Sequence, residues 1–160
     1  MDNALFPLST AVGHALQARG LLLATAESCT GGGVAQAVTD VGGSSAWFER
    51  GFVTYSNAAK TAMLGVPADL IAAHGAVSEE VAAAMAQGSL AHSDAQVAVS
   101  TTGIAGPTGG VSGKPVGTVC FGWARAGHVQ TERLVFAGDR QAVREQAVAH
   151  ALQGLLRFIK

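Results

Sequence analysis

Charge is scarce in this chain. Of its 160 residues, 13% are charged, about half the usual share of roughly 25%. A surface that poor in charge is either unusually rich in Ala and Gly or covered by another subunit. We expect the second, a homodimer or larger homo-oligomer, although scattered apolar surface is also ordinary. The charge that exists is balanced, with a formal net charge of −1 and no basic run. Binding a phosphate backbone needs a clustered positive field, so nucleic acid is not expected as a partner. No uncharged apolar stretch of about 18 residues occurs, which argues against a transmembrane helix or a membrane partner. The start, MDNALFPLSTAVGHAL, has neither a basic n-region nor a continuous apolar h-region, so a cytoplasmic location is expected. The two cysteines, Cys29 and Cys120, form no CxxC pattern. A reduced compartment accounts for them without a disulfide.

Several signatures are missing too. Gly113-Lys114 is followed by Pro115, and Thr108 stands where a P-loop needs its first glycine. After Gly31 and Gly33, Gln36 breaks the dinucleotide-binding pattern. Ala26 and Thr30 stand where a GxSxG elbow around Ser28 needs its glycines, with Glu27 and Cys29 between. The histidines show no ligand spacing, so no metal site is expected.

What is present is an alternation of helical and strand periods, the mark of an α/β layered domain. Ser9 or Thr10 is a candidate cap for a helix reaching Arg19, and Leu21 to Ala26 reads as a buried strand. A turn over residues 27–33 leads into a helix through about Val38. Phe52 to Ser56 reads as a strand, with Asn57 capping the helix that carries Lys60. Ser78 caps an Ala-rich helix to Ala91, with Glu79 and Glu80 in its first turn. Gln96 to Thr101 is a strand, followed by a Gly/Pro loop. Val116 to Ala124 and Val129 to Phe136 form a hairpin turning at Ala126-Gly127. Asp139 caps the last helix. No repeat or linker interrupts the chain, so residues 1–160 are expected to form one domain.

Three segments carry chemistry. Thr25-Ala26-Glu27-Ser28-Cys29-Thr30-Gly31-Gly32 places small hydroxyl residues at a strand-to-helix turn. A nucleophile there stands at the sheet edge, and free N–H groups can face an oxyanion. By itself such a turn is more commonly a capped helix start. The segment from Gly43 to Lys60 puts Tyr55 near a strand end and Lys60 in the following helix. A solvated lysine is the ordinary reading, while a desolvated one is a base able to activate a serine. The third segment, Ser100 to Gly110 followed by Lys114-Pro115-Val116-Gly117-Thr118, again follows a strand. Its glycines allow backbone to approach a ligand, at the strand end that open α/β sheets favour.

Taken together, TAESCTGG, GSSAWFERGFVTYSNAAK, HGAVSEEVA, GIAGPTGG, KPVGTV and FAGDRQAVR resemble the CinA C-terminal family, including its stand-alone nicotinamide-nucleotide amidohydrolases. The resemblance runs from about residue 5 to about 155. It implies a three-layer α/β/α sandwich with a central mixed sheet. It also implies hydrolysis of the carboxamide of nicotinamide mononucleotide to nicotinic acid mononucleotide and ammonia, a salvage step in the pyridine nucleotide cycle. The family's serine matches Ser28, its tyrosine Tyr55 and its lysine Lys60. On this reading Ser28 attacks, neutral Lys60 takes the proton, and Tyr55 relays a proton or orients the pair. N–H groups near Thr30, Gly31 and Gly32 hold the oxyanion, and Glu27 contacts the turn or the amide nitrogen. Ser45, Thr102, Gly103 and Arg140 are candidates for holding ribose or phosphate, the Arg140 fork being suited to bidentate contact. The chemistry calls for no metal and no organic cofactor. Two rivals stand beside it: Cys29 as the nucleophile, and a nucleotide-binding or regulatory module without turnover.

Overall fold

The computed structural model describes residues 3–160. Six helices and five strands alternate along them: α1 (Phe6–Ala18), β1 (Leu23–Glu27), α2 (Gly33–Thr39), β2 (Phe48–Val53), α3 (Asn57–Leu64), α4 (Ala68–His74), α5 (Glu79–Ala91), β3 (Val97–Gly103), β4 (Thr118–Arg125), β5 (His128–Val135) and α6 (Arg140–Ile159). One sheet runs in the order β2-β1-β3-β4-β5. β1 lies parallel to β2 and β3, while β4 is antiparallel to β3 and β5. Helices cover both faces. The result is an α/β/α sandwich around a mixed sheet, as expected.

Strand alternation decides what each face holds. Leu23, Val97, Val99, Val119, Phe121 and Trp123 point to one face, where they pack with α1, α2 and α6. Their buried side chains are worth about 1.5–3 kcal/mol each. The alternate positions are small. Ala24, Ala98 and Ala124 meet Ala86 of α5, and Ser100 donates its hydroxyl to the Ala82 carbonyl at 2.6 Å. Small residues let α5 lie close on the sheet. Gly88 carries this further: a Cβ there would stand 2.1 Å from the Leu64 carbonyl oxygen. The end of α3, and with it Lys60, is thereby drawn onto α5. Part of the chain's Ala and Gly is spent on these close contacts.

Some boundaries differ from the sequence reading. α1 starts at Phe6, not beside Ser9 or Thr10, because Pro7 in its first turn presets helical φ. Thr10 instead donates to the Phe6 carbonyl within the helix. β2 runs over Phe48–Val53 where Phe52 to Ser56 was expected, since its register is set by parallel pairing with β1. Ser56, not Asn57, caps α3, accepting from the Ala59 N–H at 3.0 Å. The Ser78 and Asp139 caps are present as expected, accepting from the N–H groups of Val81 and Ala142. No helix among the described residues is long and apolar enough to cross a membrane.

Candidate active site

β1 delivers Ser28 to the carboxyl edge of the sheet. The Ser28 N–H still donates to the Thr101 carbonyl at 3.0 Å, continuing the strand. The chain then turns sharply, with the Gly31 N–H donating to the Ser28 carbonyl. Gly31 and Gly32 have φ of 60° and 101°, the left-handed region that glycine adopts without strain. Alternation sends Ser28 towards α3 and α5, and its neighbour Glu27 the other way.

Lys60 comes to Ser28 from α3. Its amine lies 3.1 Å from the Ser28 hydroxyl, 3.0 Å from the Thr54 carbonyl oxygen and 3.3 Å from that of Tyr55. Lys60 is only 1% exposed and Ser28 is 7% exposed. No ion pair among the described residues involves Lys60. Burial holds its pKa below the ordinary 10.5, since water no longer stabilises the charge and only the nearby Cys29 opposes the shift. The three oxygens match the three donors of the charged amine, and the geometry accommodates the neutral form as well. A neutral amine has two N–H donors and one lone pair. The two carbonyls take the donors, which leaves the lone pair for the Ser28 hydroxyl.

Glu27 is turned to the opposite face and does not line the cavity that holds Ser28. Its carboxylate accepts from the Thr30 hydroxyl at 2.5 Å and from the N–H groups of Val34 and Ala35 at 2.8 and 3.0 Å. It is therefore a buried cap on α2, where a negative charge suits the helix start. This is the turn contact expected of it, and the carboxylate is fully used there. Thr30 is buried between Glu27 and Thr101, its hydroxyl 2.8 Å from that of Thr101. The Gly31 N–H, expected to face an oxyanion, is already spent on Ser28. The N–H groups of Cys29 and Thr30 make no hydrogen bond within the described residues. Cys29 itself is 4% exposed. Burial pushes its thiol up to about 12, an inert environment for a nucleophile.

A cavity of about 270 Å³ opens over Ser28 and Lys60, with Thr102, Gly103, Gly106 and Arg140 among its walls. The Thr102 hydroxyl donates to the Ala76 carbonyl at 2.8 Å, tying the loop before α5 to β3. A Cβ at Gly103 would meet Val119, the Thr118 carbonyl and the Cys29 sulfur within 3.0 Å. The glycine thus lets three segments converge beside the nucleophile. Lys114 pins the Gly/Pro loop from outside by donating to the His74 carbonyl at 2.7 Å. Arg140, the first residue of α6, crosses the mouth. It donates to the Gly106 carbonyl at 2.8 Å and to the Tyr55 hydroxyl at 2.9 Å. The Tyr55 ring is therefore at the rim, 59% exposed, and only its carbonyl reaches Lys60.

Ser45 does not join them. It is exposed in the short turn before β2, next to Trp47, whose carbonyl accepts from the Leu23 N–H at the start of β1. Five strand residues separate that level from Ser28, about 16 Å at 3.3 Å per residue. The parallel pairing of β1 and β2 puts it at the wrong end of the sheet. Sequence reading also passed over Arg144. Its guanidinium donates to the carbonyls of Cys29 and Thr30 at 3.1 and 3.3 Å. The available signal was its spacing, one helical turn after Arg140 and on the same side of α6. No group of three or more His, Cys, Asp or Glu among the described residues is placed to hold a metal.

The model of the CinA C-terminal domain matches residues 5–159. The chain is 59% identical over 155 residues to the nicotinamide-nucleotide amidohydrolase PncC of Escherichia coli, covering 96% of this chain and 94% of the relative. It is 55% identical over 151 residues to the PncC of Pseudomonas putida, covering 94% of each. Among solved structures, the competence/damage inducible protein CihA from Agrobacterium tumefaciens superposes with a TM-score of 0.96 at 41% identity, covering 100% of this chain and 98% of that one. A match over nearly the whole length, in sequence and in fold, means that the chain belongs to the CinA C-terminal domain family.

Proposed function

We propose that this chain hydrolyses the carboxamide of nicotinamide mononucleotide, giving nicotinic acid mononucleotide and ammonia, and so serves pyridine nucleotide salvage. The observation that carries the reading is the buried Lys60 amine, 3.1 Å from the Ser28 hydroxyl and without a counter-ion. The amidohydrolase relatives supply the substrate. Ser28 Oγ attacks the carboxamide carbon as its proton passes to Lys60 Nζ. The carbonyl oxygen becomes an oxyanion, held by the N–H groups of Cys29 and Thr30. Protonated Lys60 returns that proton to the amide nitrogen, which leaves as ammonia, since an amide nitrogen departs poorly as an anion. A water then adds to the acyl-serine ester with Lys60 again as base, and the carboxylic acid is released with Ser28 restored.

Tyr55 serves through two atoms. Its carbonyl fixes the amine, and its hydroxyl holds Arg140 across the mouth. Arg140 takes the substrate phosphate there, exchanging its two neutral acceptors for a charged one. Thr102 and Gly103 line the floor beneath the ribose. The exposed Val53, Val111 and Val135 are candidates for cover in a homo-oligomer. The test is ammonia release from purified protein, with nicotinamide mononucleotide and nicotinamide riboside as substrates. Turnover of the mononucleotide, with a higher KM for the riboside and for the Arg140→Ala variant on the mononucleotide, is expected. A thermal shift with the mononucleotide but no ammonia would favour a binding module instead.

A further inference from the structure

The turn after Ser28 is braced from behind. Three successive carbonyls, those of Ser28, Cys29 and Thr30, all face partners on the side away from the cavity. The Gly31 N–H takes the first at 3.0 Å, and the Arg144 Nε takes the second at 3.1 Å. The third accepts from the Gly33 N–H at 3.0 Å and from Arg144 Nη2 at 3.3 Å. In a planar peptide the carbonyl and the next residue's N–H point in opposite directions. Anchoring the carbonyls of Ser28 and Cys29 therefore aims the N–H groups of Cys29 and Thr30 forwards, and these, with the Gly32 N–H, are the donors of the turn left without partners. Gly31 makes room for the brace: a Cβ there would stand 3.2 Å from Arg144 Nη2. Arg144 does not line the cavity over Ser28 and lies in the wall of a separate groove between α2 and α6.

We infer that Arg144 is a positioning residue for the oxyanion site: its grip on the Cys29 carbonyl aims the Thr30 N–H directly, and its grip on the Thr30 carbonyl steadies the peptide whose Gly31 N–H anchors the Ser28 carbonyl and so aims the Cys29 N–H, presenting both to the tetrahedral intermediate. This rests on the proposal that Ser28 is the nucleophile. Charge-assisted hydrogen bonds also polarise the peptide they grip, so the Thr30 N–H, sharing a peptide with the Cys29 carbonyl, becomes the stronger donor.

The test compares native protein with Arg144→Met and Arg144→Lys, with folding followed by thermal denaturation. Direct removal of an oxyanion donor costs about 10²–10³ in kcat. Losing the brace leaves the donors present but loose, so Arg144→Met should lower kcat about 10- to 100-fold with KM within twofold. The acid limb of the pH profile, set by Lys60, should not move. Arg144→Lys, which keeps the charge and one contact, should fall between the two. A second readout does not depend on the amide substrate. A fluorophosphonate phosphonylates Ser28, the Oγ–P bond forming as the P–F bond breaks and fluoride and the hydroxyl proton leave; its P=O oxygen takes the same site, and mass spectrometry gives the labelling rate. Arg144→Met should label about tenfold or more slowly than native. Native labelling rates in Arg144→Met, or a loss carried by KM and a shifted acid limb, would overturn the inference. Labelling at Ser28 without mononucleotide turnover would sink the substrate proposal alone, leaving the labelling ratio to judge Arg144. No labelling of native Ser28 would overturn both.

Discussion

Replacing Lys60 by arginine or methionine separates a base from a fixed charge. Arginine keeps the positive charge and cannot give up its proton near neutrality. Methionine keeps an unbranched apolar stem and removes the amine. Both lose a base 3.1 Å from the hydroxyl it must deprotonate. Loss of general-base catalysis costs about 10²–10⁴ in rate, or about 2.7–5.5 kcal/mol in barrier. At its ordinary pKa of 10.5, only about one amine in 3000 would be neutral at pH 7, and each unit of depression raises that fraction tenfold. The buried amine lies below 10.5 because burial disfavours its charge. The assay is kcat/KM for ammonia release from pH 5 to pH 10. In the native protein its logarithm should climb with unit slope through the acid range and level off at the Lys60 pKa. Stability should follow the same group. The folded state gives up the Lys60 proton at lower pH than the unfolded chain, which binds more protons between the two pKa values. Stability therefore rises with pH across that window, up to about pH 10.5, and Lys60→Met should lack this component. A Lys60→Arg or Lys60→Met variant within tenfold of native kcat, or an acid limb unchanged in Lys60→Met, would refute the reasoning.

Cys29→Ala should keep kcat within a few-fold of native, because a buried thiol held near 12 contributes no nucleophile; loss of activity with retained folding would restore it as a rival. Glu27→Gln should lower stability in urea titration by about 1.5–3 kcal/mol, since one of the carboxylate oxygens that accept from Val34, Ala35 and Thr30 is replaced by a donor facing donors. Gly88→Ala, which in an open helix would gain up to about 1 kcal/mol of propensity, should instead lower the thermal midpoint. The added methyl meets the Leu64 carbonyl at 2.1 Å, and the displaced α3 should also weaken kcat.

The helices with strong caps were legible from the chain alone. Ser78 and Asp139 sit where their hydroxyl and carboxylate accept from the third residue of each helix. The alternation of strands and helices was legible as layers. The pairing of Ser28 with Lys60 was not. Thirty-two positions separate them in sequence, and only the parallel register of β1 and β2, followed by α3 folding back on α5, brings them together. Family resemblance supplied what spacing does not. Alternation along β1 predicts that Glu27 and Ser28 face apart, a signal present in the sequence and overlooked. Ser45 was misplaced for a different reason. Its segment runs on directly to Tyr55 and Lys60, yet a parallel strand carries its two ends to opposite edges of the sheet. Arg144 acts on backbone carbonyls, which leave no mark in a sequence motif.

The most direct test of the central claim is ammonia release from nicotinamide mononucleotide by native protein and by Ser28→Ala with Cys29 intact. The account predicts release by the native protein and a fall of at least about a thousandfold in the variant, both remaining folded. Release by Ser28→Ala at a native rate would remove Ser28 as the nucleophile, and no release by folded native protein would contradict the amidohydrolase reading itself.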